Sequence, residues 1–472
     1  MAGLTSTTMF ISRKVIQLAE IAFPLGLEGT AQLPYTRKAL RNCWNDNGRI
    51  IQRPGSTLNG TTGLVARGSF EWNGGLYAVA SQSLIKITNV LTGAFTTIGT
   101  ITGTADIRTA NGFNTVAIVV KGGAQYTLDK SDTLVDISGN TNFVPCNSVT
   151  HMNGRFIYIP SDGDPAFFSD VGAAGTVQTS SFFDAEQLPD NNSEVFQLNN
   201  ILYIGGDRSI QSFLDRGLDP VPYQPQTGRI DAGIIGGVVE TQDDGTGTAA
   251  VLFIGKKKGQ VPAIFAQIAG GAPKVSNDAI DAILETYTET QLSEVVVGRY
   301  VWRGDDIVYF TLANHAFGFY KGNWHGLDTL IGGANVPWQA GYIQEFGLNY
   351  YSFFAGNLSI LDDSNKDAGN AFVRVIDGGI EKGASFNAQS LQYHMSQGYN
   401  ASIGSVYLAM SDDNVLYGPY VSASTGAIGN YGVELDWNYP GGLGIYDRFM
   451  GYRLQTGEDV NFSGTKLYIE TR

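Results

Sequence analysis

The chain has 472 residues, 60 of them glycine and only 16% charged, against roughly 7% glycine and 25% charged residues in ordinary globular domains. That composition fits a turn-rich sheet protein with room for a large core and two or three domains. The balance of 30 basic to 44 acidic residues, a formal net charge of −14, disfavours a general phosphate-clamping role but leaves local basic patches open, and two cysteines, Cys43 and Cys146, are too few for a disulfide framework or a thiolate metal site.

At the N-terminus Arg13 and Lys14 follow only a brief apolar stretch, Met9 to Ile11, which is not the order a signal peptide needs. With so few cysteines, assembly in a reducing cytoplasm is allowed. No apolar run approaches the roughly 18 residues of a membrane span, and Val116 to Val120 is typical of the short runs present. Residues 1–62 carry Phe23-Pro-Leu-Gly26, Leu33-Pro34 and Arg53-Pro-Gly-Ser56, and read as an extended N-terminal arm with sharp turns.

From residue 63 a phrase recurs. Asn73-Gly74 stands in Trp72-Asn-Gly-Gly-Leu-Tyr77 and returns at Asn111-Gly112, Asn153-Gly154 and Asn199-Asn200, in steps of 38, 42 and 46 residues. Weaker copies follow at Ala249 to Phe253, Arg303 to Tyr309 and Gly347 to Tyr351. Asn-Gly supplies the two positive-φ positions of a type I′ turn, and the Ile, Val, Phe and Tyr that follow fit a half-buried strand. Spacing of about 40 to 50 residues is that of propeller blades. The expected fold is therefore all-β: a propeller-like body of six to seven blades over 63–369, the alternative being a stack of unrelated hairpins. Closure would come from sequence-distant strands, with arm residues near Arg53-Pro54 supplying the closing one.

One helical insertion is expected near 276–293. Ser276 or Asn277 would be the N-cap, with Ile280, Ile283 and Leu284 on one face, and Thr288 and Gln291 have capping-box spacing for a second short helix. The repeat fades after Gly369. Residues 370–472 read as a C-terminal β-sandwich-like domain, with well-marked last strands at Met450 to Leu454 and Thr465 to Glu470.

Chemical motifs are sparse. His151, His315, His325 and His394 have no metal-ligand spacing and read as structural, and no nucleophile elbow, Walker A loop or dinucleotide fingerprint occurs. Gly255-Lys-Lys-Lys-Gly-Gln260 reads as a solvated hairpin turn, or else as a basic contact for an acidic partner. Acidic pairs stand at Asp243-Asp244, Asp305-Asp306, Asp362-Asp363 and Asp412-Asp413. Asp363-Ser-Asn-Lys-Asp-Ala-Gly369 has the alternating oxygens of a calcium loop, but Ala368 sits where that loop needs glycine and Arg374 replaces its terminal Glu. Ser411-Asp-Asp-Asn-Val-Leu-Tyr-Gly418 is similar to the Asp-box hairpin of sialidase-like propellers but lacks its Gly and Trp. No catalytic, cofactor-binding or metal-ligating residue is assigned.

The run from Ser276 through Asp281 to Leu292 and Arg299 to Phe310, ending near Trp324, resembles the packaged-DNA stabilisation proteins of short-tailed bacteriophages, the tail hub or nozzle proteins below the portal. Further echoes are Met152 to Tyr158 with Phe167-Phe-Ser-Asp170, Leu202 to Gln211, Met450 to Leu454 and Leu467 to Glu470. Tyr417 to Gly444 and the arm match nothing in that family. The resemblance implies a virion structural protein, not an enzyme. It also implies a hexameric ring between the portal–adaptor complex and the distal tail, carrying needle, fibre or tailspike proteins, with packaged double-stranded DNA passing through without tight binding. Two other classes compete: a propeller glycoside hydrolase or depolymerase acting on host polysaccharide, and a cytoplasmic scaffold propeller. Catalytic carboxylates clustered with arginines around the propeller axis would favour the hydrolase.

Overall fold

The structure, a computed structural model, describes residues 16–20, 23–29, 38–163, 165–185, 190–381, 386–397, 404–426, 433–438, 443–446, 449–458 and 460–471. The chain divides into two compact units, one of residues 1–25, 29–52 and 374–472, the other of residues 26–28 and 53–373.

The second unit is a β-propeller. Six blades follow one another as antiparallel meanders over 66–100, 107–136, 146–183, 192–230, 233–267 and 296–326. The fifth has three strands. Its fourth place is filled by 271–276, which returns along Ala263–Gln267 through the Phe265–Lys274 bridge and the Val275 N–H to Ile264 carbonyl bond. Tyr342–Phe346, Asn349–Phe354 and Asn357–Asp362 form a seventh sheet that is joined by Gly55–Thr61 from before the first blade, in register from Asn357 opposite Thr61 to Asp362 opposite Gly55, and extended by the short strands Lys366–Asp367 and Asn370–Ala371. The closing strand therefore begins directly after Arg53-Pro54, as the sequence led us to expect.

Apolar side chains between adjacent sheets hold the ring. Val79 and Leu84 meet Val116 and Ile118 between blades one and two, Ala117 and Val119 meet Val149 and Tyr158 between two and three, and Ile157 and Phe168 meet Leu202 and Phe213 between three and four. Phe196 and Tyr203 meet Phe253 and Phe265, and Leu252 and Ile264 meet Phe310 and Trp324. Tyr300 and Tyr309 of the sixth blade pack edge-on against Trp338, and Tyr300 also meets Tyr350 of the seventh. Leu76 and Ile85 of the first blade then bury against Tyr351 and Phe353, which shuts the circle. Burying each Val, Leu, Ile or Phe among them stabilises the fold by about 1.5–3 kcal/mol.

The turn chemistry is as expected at three of the four main copies. Asn73 and Gly74 (φ 47° and 69°), Asn153 and Gly154 (49° and 83°), and Asn199 and Asn200 (51° and 62°) are all left-handed, between strand ends two residues apart in register. Asn111-Gly112 differs. Neither residue has positive φ; the turn is wider, closed by the Gly112 N–H to the Thr115 carbonyl, and a Cβ on Gly112 would lie 2.5 Å from the Phe156 ring. Glycine is needed there for close approach rather than for conformation.

Between blades five and six lie α1 (Asp278–Leu284) and α2 (Glu289–Ser293). Asn277 caps α1 by accepting the Ile280 N–H, and Thr288 and Gln291 make a reciprocal capping box on α2. Ile280, Leu284 and Leu292 are buried with Leu252, Phe310 and Trp324.

The first unit is a sandwich of two sheets. One pairs Ala39–Arg41 with Arg374–Glu381, then Phe449–Thr456, Ser405–Ser411 and Val421–Ser424; the other holds Cys43–Asp46, Arg49–Gln52, Val460–Thr471, Phe386–Gln397 and Val433–Asn438. Leu40, Ile376, Leu408 and Leu454 of the first sheet are buried with Cys43, Ile50, Trp437 and Phe462 of the second. The expected arm of residues 1–62 is thus corrected over its described part. Residues 38–52 are short strands of this sandwich and 55–61 the closing strand of the propeller, because Leu40, Cys43, Trp44 and Ile50 are apolar positions that pairing buries.

Candidate functional site: the propeller axis and the groove beside it

The first strands of the blades converge on the axis. In an up-and-down meander the turns between second and third strands lie at the same end as the connections between blades. That end gathers charge: Asp106, Arg108 and Lys121 from blade two, Glu194, Asp207 and Arg208 from blade four, Lys256 from blade five, Glu289 and Ser293 from α2, and Tyr342 from blade seven.

Two contacts cross the axis. Arg108, on the first strand of blade two, donates from Nη2 to Glu194 Oε1 on the first strand of blade four at 3.4 Å, and the Glu194 side chain is only 5% exposed. Lys121 Nζ donates to the Ser293 carbonyl at the end of α2 at 3.0 Å. Helix α2 reaches this place because Gly236, on the first strand of blade five, lets it in: a Cβ there would lie 2.9 Å from Ser293 Cα. The Arg108–Glu194 pair stands between a cavity of about 520 Å3, lined by Glu194, Lys121, Asp207 and Ser293 among others, and one of about 220 Å3 against Asp106, Arg108 and Tyr342.

Electrostatics follow this packing. The charge of Glu194 holds the Arg108 guanidinium pKa up, whereas burial pushes the Lys121 ammonium down and the Tyr342 phenol up, Tyr342 being raised further by the charge of Asp106. Burial, then the neighbouring charge of Asp190, raises Asp207. The axis is therefore bridged by side chains and covered by a helix at one end.

Beside the axial mouth a groove of about 760 Å3 is lined by Asp207, Arg208, Arg229, Asp231, Lys256, Lys257, Lys258, Gly259 and Gln260. The lysine run is indeed a hairpin turn, between strands Ala250–Lys256 and Ala263–Gln267. Lys256 pairs with Glu289 of α2, Arg229 Nε with Asp231 at 2.6 Å, and Lys257 lies 5.4 Å from the Phe265 ring centroid.

Most of the other residues singled out in sequence have structural partners. Asp363 pairs with Arg303 at 2.7 Å, and Asp367 is buried against Arg53, so the calcium-like loop has its oxygens engaged by protein cations. Asp243 accepts the Gly245 and Gly247 N–H groups, Asp244 those of Thr246 and Thr248, and Asp413 those of Val415 and Leu416: turn capping in each case. Asp305 pairs with Lys321, and Asp306 pairs with Arg299. His151 packs on Phe156, His315 bonds Tyr287 Oη at 2.7 Å, and His325 is buried beside Tyr320. His394 lies on Phe386–Gln397, whose side chains are outside the described residues. Among the described residues no group of three His, Cys, Asp or Glu is placed to hold a metal, and no helix is long and apolar enough to cross a membrane.

Sequence reading missed Arg108, Glu194 and Lys121 because each is a lone charge outside any motif. The available signal was positional: Ile107-Arg108 and Ser193-Glu194 place a charge near the start of an apolar first strand, where a blade should bury its side chains.

A family model described as that of the bacteriophage P22 Gp10 β-propeller matches residues 32–341. No curated protein matches. Solved structures similar in fold include BamB from Moraxella catarrhalis (12% identity, TM-score 0.37, covering 74% of this chain and 98% of that one). Virginiamycin B lyase from Staphylococcus aureus is another (11%, 0.38, 74% and 99%), as is the N-terminal domain of Nup159 (10%, 0.39, 68% and 98%).

Proposed function

This chain belongs to the phage-stabilisation family of the bacteriophage P22 Gp10 β-propeller, and from that premise we propose that it is a subunit of the tail hub, or nozzle, of a short-tailed phage. The coarse part of this statement, a structural protein of a bacteriophage, comes with the family. In the finer reading six copies form a ring in the virion tail, joining the portal–adaptor complex to the distal tail, carrying needle, fibres or spikes, and holding the packaged genome until ejection. The observation that carries it is the family match across 32–341, which takes in six blades of the propeller.

The bridged axis supports one feature of the reading. Arg108, Glu194 and α2 obstruct passage through a single propeller, so the genome's path lies between copies. The family gives the glycosidase alternative no support. Reconstruction of the virion tail tests the proposal: a six-fold ring of this chain between adaptor and distal tail is expected, and a lone or trimeric appendage would overturn it. Purified protein incubated with host polysaccharide should release no reducing ends.

A further inference from the structure

The groove across blades four and five is a concentration of positive charge on a chain whose formal charge is −14. Five of its lining residues are cations: Arg208, Arg229, Lys256, Lys257 and Lys258. Two are neutralised locally, Arg229 by Asp231 and Lys256 by Glu289. Among the described residues Arg208, Lys257 and Lys258 form no salt bridge, Arg208 acting on the neighbouring Asp207 through its field alone, and Arg208 and Lys258 are exposed. The cluster is held in place: Lys257 Nζ stands over the Phe265 ring at 5.4 Å from its centroid, and the hairpin that presents it is anchored by the buried strand Ala263–Gln267.

We propose that this groove is a docking site for an acidic polypeptide segment of a partner protein, which sets its carboxylates against Arg208, Lys257 and Lys258. The lining itself selects a peptide over a nucleic acid. A duplex carries a phosphate charge about every 1.7 Å and is bound by neutralising many of them with Lys and Arg, whereas here Asp207 and Asp231 line the same groove and would repel phosphates. An acidic loop can place carboxylates opposite the three unpaired cations and polar or apolar residues opposite the acids. Pairing of this kind sets specificity and speeds association, and weakens with salt. The inference stands on the charge and shape of the groove and does not depend on the chain's place in a tail.

The test is fluorescence anisotropy on the full-length protein with a labelled poly-glutamate peptide as probe, compared with a poly-glutamine peptide and a short DNA duplex. Saturable, salt-sensitive binding of poly-glutamate alone is expected, weakened by about tenfold or more in Arg208→Gln/Lys257→Gln/Lys258→Gln. These side chains lie at the surface, so the triple variant should melt with the wild type, and Lys130→Gln, a distant lysine, should bind the probe normally. Equal binding by wild type and triple variant, absence of poly-glutamate binding, or tighter binding of the duplex would each overturn the assignment.

Discussion

Arg53 and Asp367, 314 positions apart, form a buried two-point ion pair: Nη1 to Oδ1 at 2.9 Å and Nη2 to Oδ2 at 2.6 Å, with Arg53 wholly shielded from solvent. Further contacts surround the pair. Arg53 also donates to the Pro54 and Asp328 carbonyls, its guanidinium carbon lies 3.9 Å and 4.8 Å from the ring centroids of Phe372 and Trp338, and Asp367 accepts from Thr329 and Trp338. The pair ties the residue just before the closing strand to Lys366–Asp367, the short strand that lies beside it in the seventh sheet. It is the fastening of the ring, and it accounts for an aspartate that in sequence looked like a calcium ligand.

Removing one partner strands the other charge in the core, so Arg53→Met and Asp367→Ala should each cost about 3–5 kcal/mol in urea unfolding. Thr329→Val should cost about 1 kcal/mol. Asp363→Ala should stay within about 0.5 kcal/mol, because its pair with Arg303 is at the surface. Calcium should shift the midpoint of none of them; recovery of Asp367→Ala in calcium would restore the metal loop.

Deleting residues 55–61 removes the strand that covers Asn357–Asp362. An uncovered edge of that length templates association. The truncated chain should elute as aggregate in size-exclusion chromatography, and a soluble, monomeric, cooperatively melting product would show that the ring closes without it.

At the axis, Glu194→Gln should destabilise by about 1–2 kcal/mol, since the amide keeps a hydrogen bond to Arg108 but not the charge. A double variant, Arg108→Met/Glu194→Leu, should recover part of that loss, which a double-mutant cycle from thermal melts will resolve. Additive effects of the two sites would mean that the side chains do not interact.

The propeller was legible because its information is local. Asn73-Gly74, Asn153-Gly154 and Asn199-Asn200 each encode a turn within two residues, and Asn277, Thr288 and Gln291 announce helix starts by hydrogen-bonding their own neighbours. Arg303-Gly304 makes the same left-handed turn (φ 53° and 88°) with no asparagine to advertise it, since the fold imposes the conformation on Arg303. Arg53 with Asp367, and Arg108 with Glu194, are contacts between distant segments, and nothing short of the closed ring brings them together. The sandwich was half legible: its late strands alternate clearly, but residues 39–52 read as an arm because each strand there is only three or four residues long.

His151, half-buried on the first strand of blade three with its ring 4.9 Å from that of Phe156, has its pKa lowered by burial alone. Its folded value therefore lies below the unfolded one of about 6.5, and in that interval the unfolded chain binds more protons. The stability tied to the neutral ring is present above about pH 6.5 and is lost as the pH falls through the folded value. Melting temperature followed between pH 7.5 and pH 5 should fall more in the wild type than in His151→Gln; parallel curves would remove His151 from the account.

The last expectation concerns how a chain of −14 retains DNA, and it rests on the hub reading. Six copies at that charge, around a duplex, repel phosphates wherever an acidic wall comes within the Debye length of about 8 Å. Tight capture would need rows of Lys and Arg, and every such contact would have to be broken during ejection. The lysine groove is too interrupted by Asp207 and Asp231 to supply such a row, and the axial cations Arg108 and Lys121 already hold Glu194 and the Ser293 carbonyl. Retention is therefore expected to be mechanical, by a narrow or plugged channel between copies whose acidic wall lets DNA slide. A titration of duplex DNA against the assembled ring at physiological salt should show weak binding with a shallow salt slope. Sub-micromolar affinity falling steeply with salt, or a channel wall lined mainly by Lys and Arg in a reconstruction, would establish electrostatic capture instead.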